Sequence, residues 1–127
     1  MKQRISSGTP WEEIAGYSRA VRVGNVVHVS GTTASDEQGR IVAPGDAGAQ
    51  AQYILQKVER ALTEAGASLA DVVRTRVYVT DYAHWEAAAR VHGEWFAAVR
   101  PANTLVVVRS LVPDSALVEI EAEAIVA

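Results

Sequence analysis

Two segments of the chain repeat apolar residues at the three- and four-residue spacing of a helix that buries one face. The first is residues 47–65, where Asp46 can cap the start and Gly66 can end the helix. Its apolar stripe consists of Ala51, Ile54, Leu55, Val58, Leu62 and Ala65. The second begins after Asp81 and ends before Pro101. Its stripe consists of Trp85, Ala88, Ala89, His92, Phe96 and Val99. Because each stripe needs a cover, the pattern predicts two helices packed on a sheet.

Five further segments have the alternating or β-rich composition of strands. They are residues 18–23, 25–32, 72–80, 104–108 and 117–126. The first two meet at Gly24-Asn25, a pair that tolerates the positive φ of a tight hairpin turn. The order β-β-α-β-α-β-β predicts an α+β fold with a mixed sheet and both helices on one face. The length of 127 residues fits a single domain, residues 1–127.

The third and fifth predicted strands carry rows of opposite charge. In the third, one face holds Val73, Thr75, Val77 and Val79, and the other holds Arg74, Arg76 and Tyr78. In the fifth, Val118, Ile120 and Ala122 alternate with Glu119, Glu121 and Glu123. If these strands are neighbours, the acidic row can pair with the arginines across the sheet.

The fourth predicted strand, residues 104–108, is apolar on both faces, which is typical of a strand covered on both sides. With both helices on one face of the sheet, the opposite face has no cover within one chain. Self-association would bury that surface, so the sequence predicts a homo-oligomer.

The composition argues against several classes of function. A formal charge of −3 and the lack of a dense Lys/Arg run argue against nucleic-acid binding. The absence of cysteine excludes disulfides, thiol chemistry and Cys-ligated metals. The three histidines, His28, His84 and His92, come from different elements without ligand spacing, so no metal site is predicted. We find no signal peptide or membrane span, and expect a cytoplasmic protein without membrane contact.

An ordered set of short motifs runs along nearly the whole chain. The set comprises Gly16-Tyr17, Gly24-Asn25, Val29-Ser30-Gly31, Asp71-Val72-Val73, Pro101-Ala102-Asn103-Thr104 and Val118-Glu119-Ile120-Glu121-Ala122. This set resembles the Rid/YjgF family, also called the endoribonuclease L-PSP family. The resemblance implies a chorismate-mutase-like fold with a mixed six-stranded sheet and two helices on one face. It also implies a homotrimer whose sheets form a central barrel, with small-molecule clefts between subunits and no cofactor.

The resemblance implies a chemistry as well. Deaminases of this family hydrolyse reactive 2-imino acids, formed from enamines, to 2-oxo acids and ammonia. Their cleft contains a tyrosine matched by Tyr17, a serine-glycine pair matched by Ser30 and Gly31, and a glutamate matched by Glu119. By this match, Glu119 and Tyr17 are the candidate catalytic residues. Glu119 would orient or polarise the water, and Tyr17 and Ser30 would shape the cleft.

Asn103 departs from the deaminase pattern, because those enzymes carry an arginine there that holds the substrate carboxylate. An amide in place of a bidentate guanidinium costs about 1–3 kcal/mol in binding. Leu105 and Ala89 replace a cysteine and an asparagine, so the pocket should be more apolar. We hypothesise that Arg74, or with less support Arg19, serves as the anion-binding residue alongside Asn103.

Each candidate residue also has a structural interpretation. Tyr17 could pack at a subunit interface, and Ser30-Gly31 could simply suit the end of a strand. Glu119 could belong to an acidic row paired with arginines, as Arg74 and Arg76 could belong to its partner row. We favour the structural role for Arg76. His92, within a helical stripe, is interpreted as a structural histidine.

Three functions remain open on the sequence. The first is a hydrolase, of deaminase type, for small reactive imines or enamines, with a substrate range altered by Asn103. The second is a trimer that binds a small 2-oxo acid or related metabolite without catalysis, which the loss of the arginine accommodates. The third, an endoribonuclease, is disfavoured by the acidic charge balance.

Overall fold

The computed structural model describes residues 2–127, in which loops and two short 3-10 helices connect six strands and three α-helices. The strands are β1 (Lys2–Ile5), β2 (Ala20–Val23), β3 (Val26–Thr33), β4 (Val72–Val79), β5 (Ala102–Val107) and β6 (Val118–Ile125). The helices are α1 (Pro10–Ala15), α2 (Ala47–Glu64) and α3 (Trp85–Phe96). The seven predicted elements are all present, with ends that shift by a few residues. β1 and α1 were not predicted from the sequence pattern.

The strands form one mixed sheet in the order β1-β2-β3-β6-β4-β5. Every neighbouring pair is antiparallel except β4 and β5, which are parallel and enclose α3 in their connection. The last strand in sequence, β6, therefore lies in the middle of the sheet, between β3 and β4. This central position explains why Val118, Ile120, Ala122 and Ala124 are all buried.

Both long helices lie on one face of the sheet, as predicted. α2 packs on β3 and β6, and α3 packs on α2, β4 and β5. Asp46 caps α2 by accepting a hydrogen bond from the Ala49 amide at 3.0 Å. The predicted stripe of α2 is correct, because its members are all buried. The stripe of α3 is narrower than predicted: Ala88 and Phe96 are buried, but Trp85 is 39% exposed.

A bulge in β4 corrects one sequence prediction. The register between β4 and β6 shifts between Val72 and Arg74, so the alternation of side chains is broken there. Val72 consequently faces the core, whereas Val73 is 44% exposed, contrary to the predicted pattern. From Thr75 onward the predicted faces are correct, because Thr75, Val77 and Val79 are buried.

β5 lies at the edge of the sheet and pairs only with β4. Its Val106 and Val107 are 40% and 50% exposed, and Leu105 is half-buried. The apolar surface that the sequence predicted to lack a cover within one chain is therefore present, and the homo-oligomer remains a prediction. No helix in the described residues is long and apolar enough to cross a membrane.

Candidate functional site

The site begins at a bulge in β3. Val29 pairs with Ala122 of β6 and Thr32 pairs with Ile120, so Ser30 and Gly31 together stand opposite the single residue between those partners. An extra residue of this kind bends a strand and redirects its side chains, and bulges are frequent next to active sites. Here the bulge brings the backbone of Gly31 against the side chain of Glu119.

Contact with Glu119 explains why position 31 is a glycine. A Cβ atom built on Gly31 would overlap the Oε2 atom of Glu119, and no other residue crowds it as closely. The backbone of Gly31 does not have a positive φ, so the requirement comes from space and not from conformation. The carboxyl group of Glu119 thus lies directly over the strand at this point.

Arg19 connects the two sides of the site. Its side chain is only 4% exposed. Nη1 donates hydrogen bonds to the Gly31 carbonyl at 2.9 Å and to Thr32 Oγ1 at 2.7 Å. Nη2 donates to the Tyr17 hydroxyl at 3.2 Å, and the guanidinium lies 5.5 Å from the centre of the Tyr17 ring. Arg19 therefore holds Tyr17 close to the bulge.

Tyr17, Arg19, Ser30, Gly31 and Glu119 line one cavity of about 730 Å³. The sequence-predicted residues Tyr17, Ser30, Gly31 and Glu119 thus come together within a single chain. Other parts of the wall are apolar and come from α1 and from the segment before β6, through Trp11, Ile14, Leu111 and Val112. Ser30 donates its hydroxyl to the Ser18 carbonyl at 2.6 Å, so its Oγ retains acceptor capacity.

The carboxyl group of Glu119 is the acid–base candidate of this cavity. Burial raises its pKa above the ordinary value, the negative charge of Glu121 raises it further, and Arg19 opposes both effects. A carboxyl group with a raised pKa exchanges protons closer to neutral pH than an exposed glutamate does. The cavity can therefore support proton transfer to or from a bound molecule.

Lys57 is a site residue that the sequence analysis did not identify. It extends from α2 to the floor of the cavity, where Nζ donates to the Ser35 carbonyl at 2.8 Å and to the Thr33 carbonyl at 3.4 Å. Burial, reinforced by the charge of Arg19, lowers the pKa of Lys57 to about 8. The only signal in the sequence is that Lys57 stands beside Val58 of the buried stripe.

A second, smaller cavity of about 150 Å³ adjoins the first. The two share four lining residues, Thr9, Arg19, Ser35 and Lys57. Arg60 and Tyr53 from α2 line only the smaller one. Arg19 and Lys57 therefore bring two cationic groups to the boundary between the cavities.

Arg74 and Asn103 do not line this cavity within one chain. Arg74 donates to Thr104 Oγ1 at 2.7 Å. Asn103 donates to Thr75 Oγ1 at 2.9 Å, and that oxygen is also hydrogen-bonded to His92 Nε2 at 2.8 Å. A cleft shared between subunits would be needed to bring Arg74 or Asn103 of one chain to the cavity of another.

The remaining charged candidates have structural partners. Arg76 Nη1 lies 3.8 Å from carboxylate oxygens of both Glu121 and Glu123, which confirms its predicted pairing with the acidic row. His28 Nδ1 lies 3.3 Å from Glu123. Burial lowers the pKa of His92, which agrees with a neutral, structural histidine. Among residues 2–127 no cluster of His, Asp and Glu could hold a metal ion.

Comparison with known proteins identifies the family of this chain. The sequence profile of the family described as Endoribonuclease L-PSP matches residues 9–126. The chain belongs to this family, the Rid/YjgF family. A Rid/YjgF relative from Acinetobacter baylyi, named 3-aminoacrylate deaminase RutC, is 38% identical over 116 residues, which cover 91% of this chain and 90% of the relative.

Solved structures of the Rid/YjgF family match the whole fold. A member of the YjgF/YER057c/UK114 family from Mycobacterium tuberculosis superposes with a TM-score of 0.88 at 44% identity, covering 99% of this chain and all of the other. RidA from an Antarctic Psychrobacter gives a TM-score of 0.85 at 31% identity, with 98% and 99% covered. The chorismate-mutase-like, or YjgF, fold expected from the sequence is therefore confirmed.

Proposed function

We propose that this Rid/YjgF protein hydrolyses small imines and their enamine tautomers to carbonyl compounds and ammonia. The observation that carries the proposal is the position of Glu119. Its carboxyl group lies against the glycine of the β3 bulge, in the same cavity as Tyr17 and Ser30, and its pKa is raised. A proton-exchanging group beside a cavity with a polar floor is what water addition to a C=N bond requires.

In this proposal, Glu119 accepts a proton from the attacking water as the oxygen adds to the imine carbon. The same carboxyl group passes this proton to the nitrogen, which gives a neutral carbinolamine. Glu119 then takes the proton of the carbinolamine hydroxyl group and passes it to the nitrogen as the carbonyl bond forms, the carbon–nitrogen bond breaks and ammonia leaves. The Tyr17 hydroxyl, which accepts a hydrogen bond from Arg19, is left with its own proton to donate to the bound molecule. No proton is gained or lost overall, and no cofactor is needed.

The substrate class follows from the charges near the cavity. A carboxylate would be attracted by Arg19 and Lys57, which line the cavity within one chain. Arg74 is the other proposed anion-binding residue, and it requires a second subunit. The name of the Acinetobacter baylyi relative, a 3-aminoacrylate deaminase, supports a small enamine that carries a carboxylate. Titration with 2-oxobutanoate tests whether Arg74 binds the carboxylate. If Arg74→Ala binds this ligand as tightly as wild type, Arg74 is not the anion-binding residue.

We propose in addition that three copies assemble through the uncovered side of the sheet and that ligand clefts form between them. Val106 of β5 is 40% exposed and pairs with Tyr78 on that uncovered side, so it supplies apolar surface for this contact. Asn103 and Arg74 lie on β5 and on the neighbouring β4, so they are close to that edge. In such an assembly they could reach the cavity of the next subunit.

A coupled assay tests the hydrolase directly. An amino-acid oxidase generates 2-imino acids in the presence of the protein, and the release of ammonia is followed against buffer alone. We expect faster release with the protein. Hydrolysis no faster than in buffer, across alanine-, leucine- and phenylalanine-derived imines, would remove the catalytic proposal.

Asn103 favours a second candidate function, binding of a small 2-oxo acid without turnover. This candidate predicts that 2-oxo acids raise the thermal midpoint of unfolding while the coupled assay stays at the buffer rate, since a ligand of the folded state stabilises it. A panel without any thermal shift would argue against it. Ribonuclease activity is not favoured, because the formal charge is −3.

A further inference from the structure

Lys57 is a buried amine that takes no part in the chemical steps of the proposed hydrolysis, where it only attracts a carboxylate. It is one of only two lysines in the chain, the other being the exposed Lys2. Its Nζ atom lies at the boundary of the two cavities, and it lines both. We propose that Lys57 is a covalent binding site for small 2-oxo acids, whose carbonyl carbon it captures reversibly as an imine.

The hydrogen bonds of Lys57 leave its nucleophilic electron pair available. Among residues 2–127, its Nζ donates to the carbonyl oxygens of Ser35 and Thr33 alone, at 2.8 and 3.4 Å. A neutral amine has two N–H bonds, which these two carbonyls can accept. Its lone pair then remains for an electrophile in the cavity, and the two hydrogen bonds hold the nitrogen in place.

Charged groups on every side of Lys57 affect how readily it loses its proton. Arg19 just before β2 and Arg60 on α2 disfavour the ammonium ion, whereas Glu12 on α1 and Asp36 after β3 favour it. Burial is the largest effect, and the net result is a pKa of about 8. At pH 7 roughly a tenth of such an amine is neutral, against well under a hundredth for an ordinary lysine.

Arg19 determines the class of carbonyl compound. Its guanidinium lines the same two cavities as Lys57, and among the described residues its buried Nε has no hydrogen-bond acceptor. A cation next to an amine matches a molecule with a carboxylate next to a carbonyl, because one end pairs with charge while the other reacts. A 2-oxo acid has this arrangement, and a simple aldehyde does not.

The reaction requires no other reagent. The Nζ lone pair forms a bond to the carbonyl carbon as the carbonyl electron pair moves to oxygen, which takes up a proton. The carbinolamine then loses its hydroxyl group with a nitrogen proton as water, leaving a carbon–nitrogen double bond. Hydrolysis reverses both steps and releases the 2-oxo acid unchanged.

Reductive trapping of the full-length chain tests the proposal. The protein is incubated with pyruvate and cyanoborohydride, which adds hydride to an imine and makes the bond permanent, and the modified peptide is identified by mass spectrometry. We expect labelling of Lys57 that saturates with pyruvate and is at least about tenfold faster at pH 7 than labelling of Lys2. The rate should rise as the pH increases through about 8.

Labelling of Lys57 no faster than that of Lys2 would overturn the proposal, and so would a rate that does not rise between about pH 7 and about pH 9. Because both lysines are in one molecule, the comparison does not depend on a folded variant. Propanal in place of pyruvate tests the carboxylate requirement: the ratio of Lys57 to Lys2 labelling should be lower with propanal, and an equal ratio for the two reagents would overturn the assignment to 2-oxo acids.

The labelling experiment tests the covalent site separately from the proposed hydrolase activity. Lys57→Met should abolish the adduct at this peptide and leave labelling of Lys2 unchanged. If the wild-type protein fails to hydrolyse imines but labels at Lys57, the hydrolase proposal is lost and the covalent site stands. If the protein hydrolyses imines but Lys57 is not labelled, the covalent-site proposal is lost and the hydrolase proposal stands.

Discussion

The carboxyl group of Glu119 occupies the space that a side chain at position 31 would fill, so its position depends on the small size of Gly31. Gly31→Ala would place a methyl group on the carboxylate, which is the far end of a flexible side chain and can move away. We expect the free energy of unfolding to stay within about 1 kcal/mol of wild type, while imine hydrolysis falls by about 100-fold or more. Gly93→Ala is the matched control, because a Cβ there meets no atom within 4 Å. An active Gly31→Ala protein would show that the carboxylate position is unimportant.

The raised pKa of Glu119 predicts a pH-dependent cost to stability. A carboxyl group whose folded pKa exceeds its unfolded value binds its proton more tightly in the folded state, so stability is lost as the pH rises through the folded pKa. Glu119→Gln should therefore be more stable than wild type at pH 7. The difference in stability between Glu119→Gln and wild type should shrink as the pH falls to 4.5, the ordinary pKa of a glutamate. Denaturant unfolding across this range measures it, and a constant difference would contradict the pKa assignment.

At the residue scale, short motifs in a fixed order led to the prediction of Tyr17, Ser30, Gly31 and Glu119 as site residues, and all four line one cavity. It did not locate Lys57, and it ranked Arg19 below Arg74. The roles of Arg19 and Lys57 depend on burial, which arises only when α2 and the strands pack together. Local patterns of residue type contain no information about that packing.

At the scale of elements, one threonine connects β4, β5 and α3. Thr75 is fully buried, and its hydroxyl is bonded to both Asn103 and His92. Thr75→Val keeps the shape but leaves both partners without this oxygen, so we expect a loss of about 1–3 kcal/mol in denaturant unfolding. Thr104→Val, which breaks the exposed bond to Arg74, should cost less than about 0.5 kcal/mol. Equal losses of unfolding free energy in Thr75→Val and Thr104→Val would contradict the role given to Thr75.

Strands and helices could be predicted where apolar residues alternate or recur at a regular spacing, and not elsewhere. β3, β4, β6 and α2 have long regular patterns, and all four were found. β1 has four residues of which only one is buried, so it has no alternation to detect. The bulges in β3 and β4 were missed because an extra residue in one strand is defined by its partner strand.

At the scale of the whole molecule, β5 is an apolar edge that one chain leaves uncovered. Val106→Asp should dissociate the proposed trimer, because Val106 pairs with Tyr78 on the sheet face that the helices leave uncovered, and a charge in an apolar contact has no partner. Val107→Asp is the control: Val107 is 50% exposed and Val106 is 40% exposed, but Val107 pairs with the buried Val79 and so points to the helix side of the sheet. Light scattering after size exclusion measures the mass. A wild-type protein that is monomeric in dilute solution would contradict the shared-cleft proposal.

The central claim is that Glu119 acts on a bound imine, and one comparison tests it most directly. Ammonia release from a 2-imino acid is measured for wild type, Glu119→Gln and Glu123→Gln, where Glu123 has the same side-chain type on the same strand face but pairs with His28 and Arg76. We predict that wild type and Glu123→Gln accelerate hydrolysis over buffer and that Glu119→Gln loses about 100-fold or more of that acceleration. Equal rates for Glu119→Gln and wild type would contradict the claim.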